Sequence, residues 1–149
     1  MPKYTYHTDV RWTEEHWGQL ECGNGAAMPF SAPPDAHGHA GVMTPEDAFV
    51  AAANTCVMMM FIWACERFKI DLAGYECHAE GEKKIELDRT EIFTHLRLRP
   101  KITARTNGEP PAQLRRRIER ALQAAQKYSL VANSVKSELT VEPEIIIVE

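Results

Sequence analysis

The chain has 149 residues, 17 basic and 21 acidic, for a net charge of −4. That is one domain's worth of sequence, long enough to bury a core without staples, and its charge leaves no positive field to draw it to nucleic acid or anionic lipid. The four cysteines, Cys22, Cys56, Cys65 and Cys77, form no CxxC pair, which argues against both a zinc knuckle and a disulfide framework and makes reduced thiols the expected state.

The first residues, MPKYTYHTDVRW, hold no continuous apolar core, so they read as a strand kept in the mature protein rather than a secretory signal, and the cytoplasm is the expected compartment. YTYHTDVRW and WGQLECG form an expected hairpin joined by TEEH. Tyr4, Tyr6, Trp12 and Trp17 lie among acidic residues, so core or interface packing is expected of them rather than base stacking. The Pro- and Gly-rich stretch PFSAPPDAHGHAGVM reads as a loop. It carries Asp35, His37 and His39, but a metal site needs three or four convergent ligands and no further partner is evident, so no metal is expected.

A helix start follows, with Thr44 as N-cap, Pro45 at the first helical position, and Glu46 and Asp47 in the first turn where negative charge meets the helix dipole. The apolar run from Ala48 to Cys65 is short of the ~20 residues of a membrane span, contains Asn54 and Thr55, and has charges at both ends, so it predicts a buried helix of some 25 residues and no membrane. Being apolar around most of its circumference, it should be enclosed by protein on nearly all sides. Cys56 and Cys65, nine residues apart, project from opposite sides of this helix and cannot act together. Cys65 is expected to be a packing residue, and Cys22 and Cys77, in strand patterns, small buried hydrophobes.

GYECHAEGEKKIEL and TEIFTHLRLRPKI alternate with period two: Ile92, Leu96, Leu98 and Ile102 share one face, and Glu91, Arg97, Arg99 and Lys101 share the other. PPAQLRRRIERALQAAQKY turns helical, with Leu114, Ile118, Leu122 and Ala125 on one stripe and the RRRIER cluster on a solvated face. SELTVEPEIIIVE returns to strand. His7, His78 and His95 read as ordinary strand residues. No phosphate-binding glycine loop and no GxSxG are present, which leaves nucleotide and α/β-hydrolase chemistry without support. The whole is expected to be a single α+β domain, residues 1–149, with an antiparallel or mixed sheet.

TPEDAFVAAANTCVMMMF resembles the signature of the OsmC/Ohr family (osmotically inducible protein C and organic hydroperoxide resistance proteins), in which a helix-start (N/T)PE precedes a reactive cysteine at this distance. AAQKYSLVANSVKSELTVEPEI resembles the family's second segment, AEKYCPVSNxLK and a closing strand. VRW, WGQLE and FSAPPDAHG also suit the family, so the similarity spans essentially the whole chain. It implies an intertwined homodimer, each subunit pairing a strongly twisted antiparallel sheet with a long buried central helix, and a thiol peroxidase of oxidative-stress defence that reduces organic hydroperoxides without metal or organic cofactor, restored by a dithiol.

Carried over by residue, Cys56 matches the peroxide-reactive cysteine and Glu46 the helix-start glutamate. Ten residues of helix put these two about 15 Å apart, so Glu46 can act near the Cys56 thiol only if the helix breaks, the loop folds back, or the glutamate comes from the partner subunit. The chain departs from the family pattern twice. Ser129 stands where the resolving cysteine belongs, and serine cannot form a disulfide. His16 falls at the position of the activating arginine, and histidine carries its charge only part of the time near neutrality. A thiol with an ordinary pKa of ~8.5 is about 3% ionised there, so a nearby cation matters for its rate. The resemblance therefore implies, at most, a weak one-cysteine peroxidase reduced by an external thiol. The alternative is a catalytically inactive dimer that holds a small apolar ligand in a pocket bordered by Met58, Met59, Phe61 and Trp63.

Overall fold

A computed structural model describes residues 1–149, which divide by their contacts into two compact units, residues 1–49 and 50–149. The first unit holds an antiparallel sheet of β1 (Thr8–Glu14), β2 (Trp17–Cys22) and β3 (Ala27–Ser31), with β2 in the middle. The hairpin begins later than its sequence suggests and turns through Glu15 and His16, with Glu15 at a φ of 41°. β3 is a strand where the sequence reads as loop. Its proline pairs with Gln19 of β2, and Pro is tolerated there because β3 is an edge strand that can spare an N–H. Every residue of β1 is exposed, including Val10 and Trp12. Tyr4 and Tyr6 are exposed as well, so within this chain only Trp17 of the four aromatics is partly covered.

The loop after β3 is pinned by Ser31, which is fully buried and whose hydroxyl donates to the Ala32 carbonyl at 2.7 Å and accepts from the His39 N–H at 3.2 Å. α1 (Pro45–Arg67) follows, capped as expected: Thr44 Oγ1 accepts from the Asp47 N–H at 3.1 Å and donates to the Asp47 carboxylate at 2.8 Å. α1 crosses the boundary between the units, so most of it belongs to the second.

That second unit is built on β4 (Asp71–Ile85), β5 (Glu91–Arg105), α2 (Pro111–Tyr128), the short α3 (Leu130–Ser134), β6 (Glu138–Val141) and β7 (Glu144–Val148). β4 and β5 form a long antiparallel hairpin, while β6 and β7 run parallel to β5 one after the other, so this sheet is mixed. β6 pairs with residues 95–98 and β7 with 101–105, and Pro100 falls at the seam between them. A proline in a strand flanked on both sides would normally cost a ladder hydrogen bond. Here the missing N–H coincides with the place where one neighbour gives way to the next.

Leu96, Leu98, Pro100, Ile102 and Ala104 are buried, as the period-two pattern requires, but Ile92 is not. Glu82 pairs with His95 and Lys83 with Phe93, so Thr94 is an extra residue in β5. Such a bulge shifts the alternation by one; Phe93 is half-buried and Ile92 exposed. Gly81 accommodates this ring, since a Cβ there would meet Phe93 at 2.9 Å and Val50 at 2.6 Å.

α2 buries Leu114, Ile118, Ala121, Leu122 and Ala125. Its basic cluster is not uniformly solvated: Arg117 is half-buried, pairs with Glu109 at 2.6 Å and donates to the Phe68 carbonyl, while Arg115 donates to the Ile145 carbonyl at 3.3 Å. The expectation of a wholly solvated charge run fails at Arg117 alone, while Arg115, Arg116, Glu119 and Arg120 are exposed as expected.

α1 departs furthest from expectation. Ala53, Val57, Phe61, Ala64 and Cys65 are buried, but Ala51, Ala52, Thr55, Met59 and Trp63 are exposed. Only 22% of its apolar stretch is buried in the chain, and at 23 residues the helix is long and apolar enough to cross a membrane by length and composition. A single chain does not supply the enclosure that its sequence demands.

Candidate functional site

α1 sets Cys56 at the margin between its buried stripe and its exposed face, half-buried and free of any disulfide. The two polar residues beside it are both satisfied. Asn54 Nδ2 donates to the Cys77 carbonyl at 3.2 Å and ties α1 to β4, and Thr55 Oγ1 donates back to the Ala51 carbonyl at 2.7 Å. Polar groups in this run are thus accounted for without exposing the core.

Ser129 reaches Cys56 from 73 residues away, its Oγ donating to Cys56 Sγ at 3.1 Å. It stands between α2 and α3 in an extended conformation (φ −68°, ψ 118°), is fully buried, and caps α3 by accepting the Ala132 N–H at 3.2 Å. Ser129 is therefore in direct contact with the Cys56 thiol.

The other thiols differ. Cys65 is buried, and burial reinforced by the Glu66 charge pushes it up to about 12. Cys77 is also pushed up by burial, against hydrogen bonds from Tyr75 and the Arg99 backbone that work the other way. Cys22 is half-buried in the first unit's sheet.

Glu46 lies in the first turn of α1, half-buried, and the helix runs without a break from there to Cys56. His16 is exposed in the first unit's hairpin turn; its ring stacks on that of His37 with centroids 5.5 Å apart, and His39 stacks on Trp17 at 4.5 Å. Those two loop histidines thus spend their faces on aromatic neighbours.

The four residues expected to border a ligand pocket differ in exposure. Phe61 is fully buried against Tyr75, with ring centroids 5.5 Å apart, Met58 is half-buried, and Met59 and Trp63 are exposed. The second unit does contain a groove of about 790 Å³ between the C-terminal half of α1 and α2, lined by Met60, Trp63, Ala64, Arg67, Phe68, Arg120, Gln123, Ala124, Lys127 and Tyr128. Trp63 alone of the four belongs to it.

Comparison with known proteins places this geometry in context. A family model described as OsmC-like protein matches residues 38–144. No curated protein sequence matches the chain. Among solved structures, the chain is similar to an OsmC-like protein of unknown function from Vibrio cholerae, at 23% identity and a TM-score of 0.83 over 97% of this chain and 100% of that one. It is similar to an organic hydroperoxide resistance protein OsmC from Legionella pneumophila, at 16% identity and 0.72 over 98% and 99%. The organic hydroperoxide resistance protein OhrB of Bacillus subtilis matches at 13% identity and 0.62 over 95% and 98%. At these identities the likeness is one of fold.

Proposed function

Because the chain belongs to the OsmC-like protein family, we propose that it is a one-cysteine thiol peroxidase that reduces organic hydroperoxides through Cys56. The observation that carries this reading is the Cys56–Ser129 contact: a half-buried thiol on an apolar helix has been given a polar, proton-donating partner from a distant element. A cysteine that merely filled core space would need none.

In the proposed cycle the Cys56 thiolate attacks one oxygen of an alkyl hydroperoxide. The S–O bond forms as the O–O bond breaks, the alkoxide takes a proton from water, and the alcohol leaves; Cys56 is oxidised to the sulfenic acid and the peroxide is reduced. Ser129 cannot close a disulfide on that sulfur, so an external thiol must. It displaces water to form a mixed disulfide, and a second thiol equivalent, for which a dithiol is best suited, releases Cys56 reduced.

The working unit in this proposal is a homodimer in the cytoplasm. The exposed apolar face of α1 supports the dimer, since a second copy of that helix supplies the cover that this chain lacks. Four free cysteines suit a reducing compartment. In an unbroken helix ten residues are about 15 Å of rise, so the proposal takes the Glu46 that assists each thiol from the other copy and assigns His16 the place of the activating cation.

The test is turnover. Reduced protein mixed with an alkyl hydroperoxide and a dithiol should consume peroxide, and Cys56→Ser should abolish the consumption. Equal rates in the two proteins would exclude the reading.

A further inference from the structure

We propose that Ser129 is a positioning residue whose hydroxyl proton, directed by the cap of α3, stabilises the Cys56 thiolate. This rests on Cys56 being the reacting sulfur, and it gives a role to the side chain that departs from the family pattern.

The geometry is specific. Ser129 Oγ already accepts the Ala132 N–H at 3.2 Å, which restrains the oxygen, and it lies 3.1 Å from Cys56 Sγ. A thiolate has no proton to offer and can only accept, so in the ionised state the hydroxyl must donate. Ser129 is fully buried, which strengthens a hydrogen bond to a charged acceptor and leaves the hydroxyl no water to turn to. Beyond the His16 and the second copy's Glu46 that the proposed function brings to the thiol, few charges compete there. Between Asp47 and Cys65, α1 has no titratable side chain except Cys56, and α3 has none. At the end of α2 stand Lys127 and Tyr128, both exposed, with Lys127 Nζ 5.2 Å from the Tyr128 ring centroid. A neutral donor bonded to the sulfur thus does part of what a cation would do elsewhere.

The proposal is tested by the pH profile of alkylation at Cys56, followed by peptide mass spectrometry on the folded protein. Ser129→Ala should move the profile up by about one pH unit, a roughly tenfold slower reaction at neutral pH. Ser129→Gly should do the same, and it guards against loss of the cap, because glycine replaces serine at an N-cap with little loss of helix stability. Ser129→Thr, which keeps the hydroxyl, should follow the wild type. A glycine variant that titrates with the wild type, or a threonine variant displaced as far as glycine, would overturn the assignment. Alkylation needs no peroxide, so a failure here is distinct from a failure of turnover.

Discussion

Cys56 and Cys65 share a helix but not an environment. Cys65 is buried and pushed up to about 12 from an ordinary 9.0, so native protein at pH 8 should be alkylated at Cys56 well before Cys65, as peptide mapping would read. The linkage has a definite sign. A thiol raised in the fold is held neutral, so its contribution to stability is complete below pH 9 and is lost as the pH rises through 12. The stability advantage of wild type over Cys65→Ala, measured by chemical denaturation, should shrink across that window; a constant difference would mean that Cys65 is not held neutral. Ser129 offers a second prediction. Its Oγ lies 3.1 Å from Cys56 Sγ, so in Ser129→Cys a second sulfur would stand where little movement closes a disulfide. Peroxide should convert that variant to an intramolecular disulfide visible by mass, and persistence of two free thiols would argue against the contact.

Elements were legible where period and punctuation agreed. The cap of α1 is plain in Thr-Pro-Glu-Asp, and the buried stripe of α2 follows helical spacing. Three features were not legible, each because a tertiary neighbour decided it. β3 is a strand because β2 offers an edge to Pro29, the bulge at Thr94 exchanges Phe93 for Ile92, and Pro100 is tolerated because two strands share its flank. The bulge yields a prediction. A methyl at Gly81 would press on Phe93 and Val50, so Gly81→Ala should lower the unfolding free energy by about 1–3 kcal/mol, seen as an earlier denaturation midpoint. No change would mean that the ring sits elsewhere.

At the scale of the whole molecule, an apolar helix that one chain leaves largely open is the central fact. A 16.9 kDa chain that buries α1 against a second copy should sediment at twice that mass. Trp63→Glu, at a site exposed in the single chain, should yield a folded monomer. The resemblance singles out Cys56 and Ser129, and the fold brings these two together, Ser129 Oγ 3.1 Å from Cys56 Sγ. Glu46 and His16 stand apart from that contact, in the first turn of α1 and in the first unit's hairpin turn. The most direct measurement is to add one equivalent of alkyl hydroperoxide to reduced protein with a sulfenic-acid trap and map the adduct. An adduct on Cys56 and none on Cys22, Cys65 or Cys77 is the expected result. An unmodified Cys56, with peroxide left intact or the adduct on another cysteine, would contradict it.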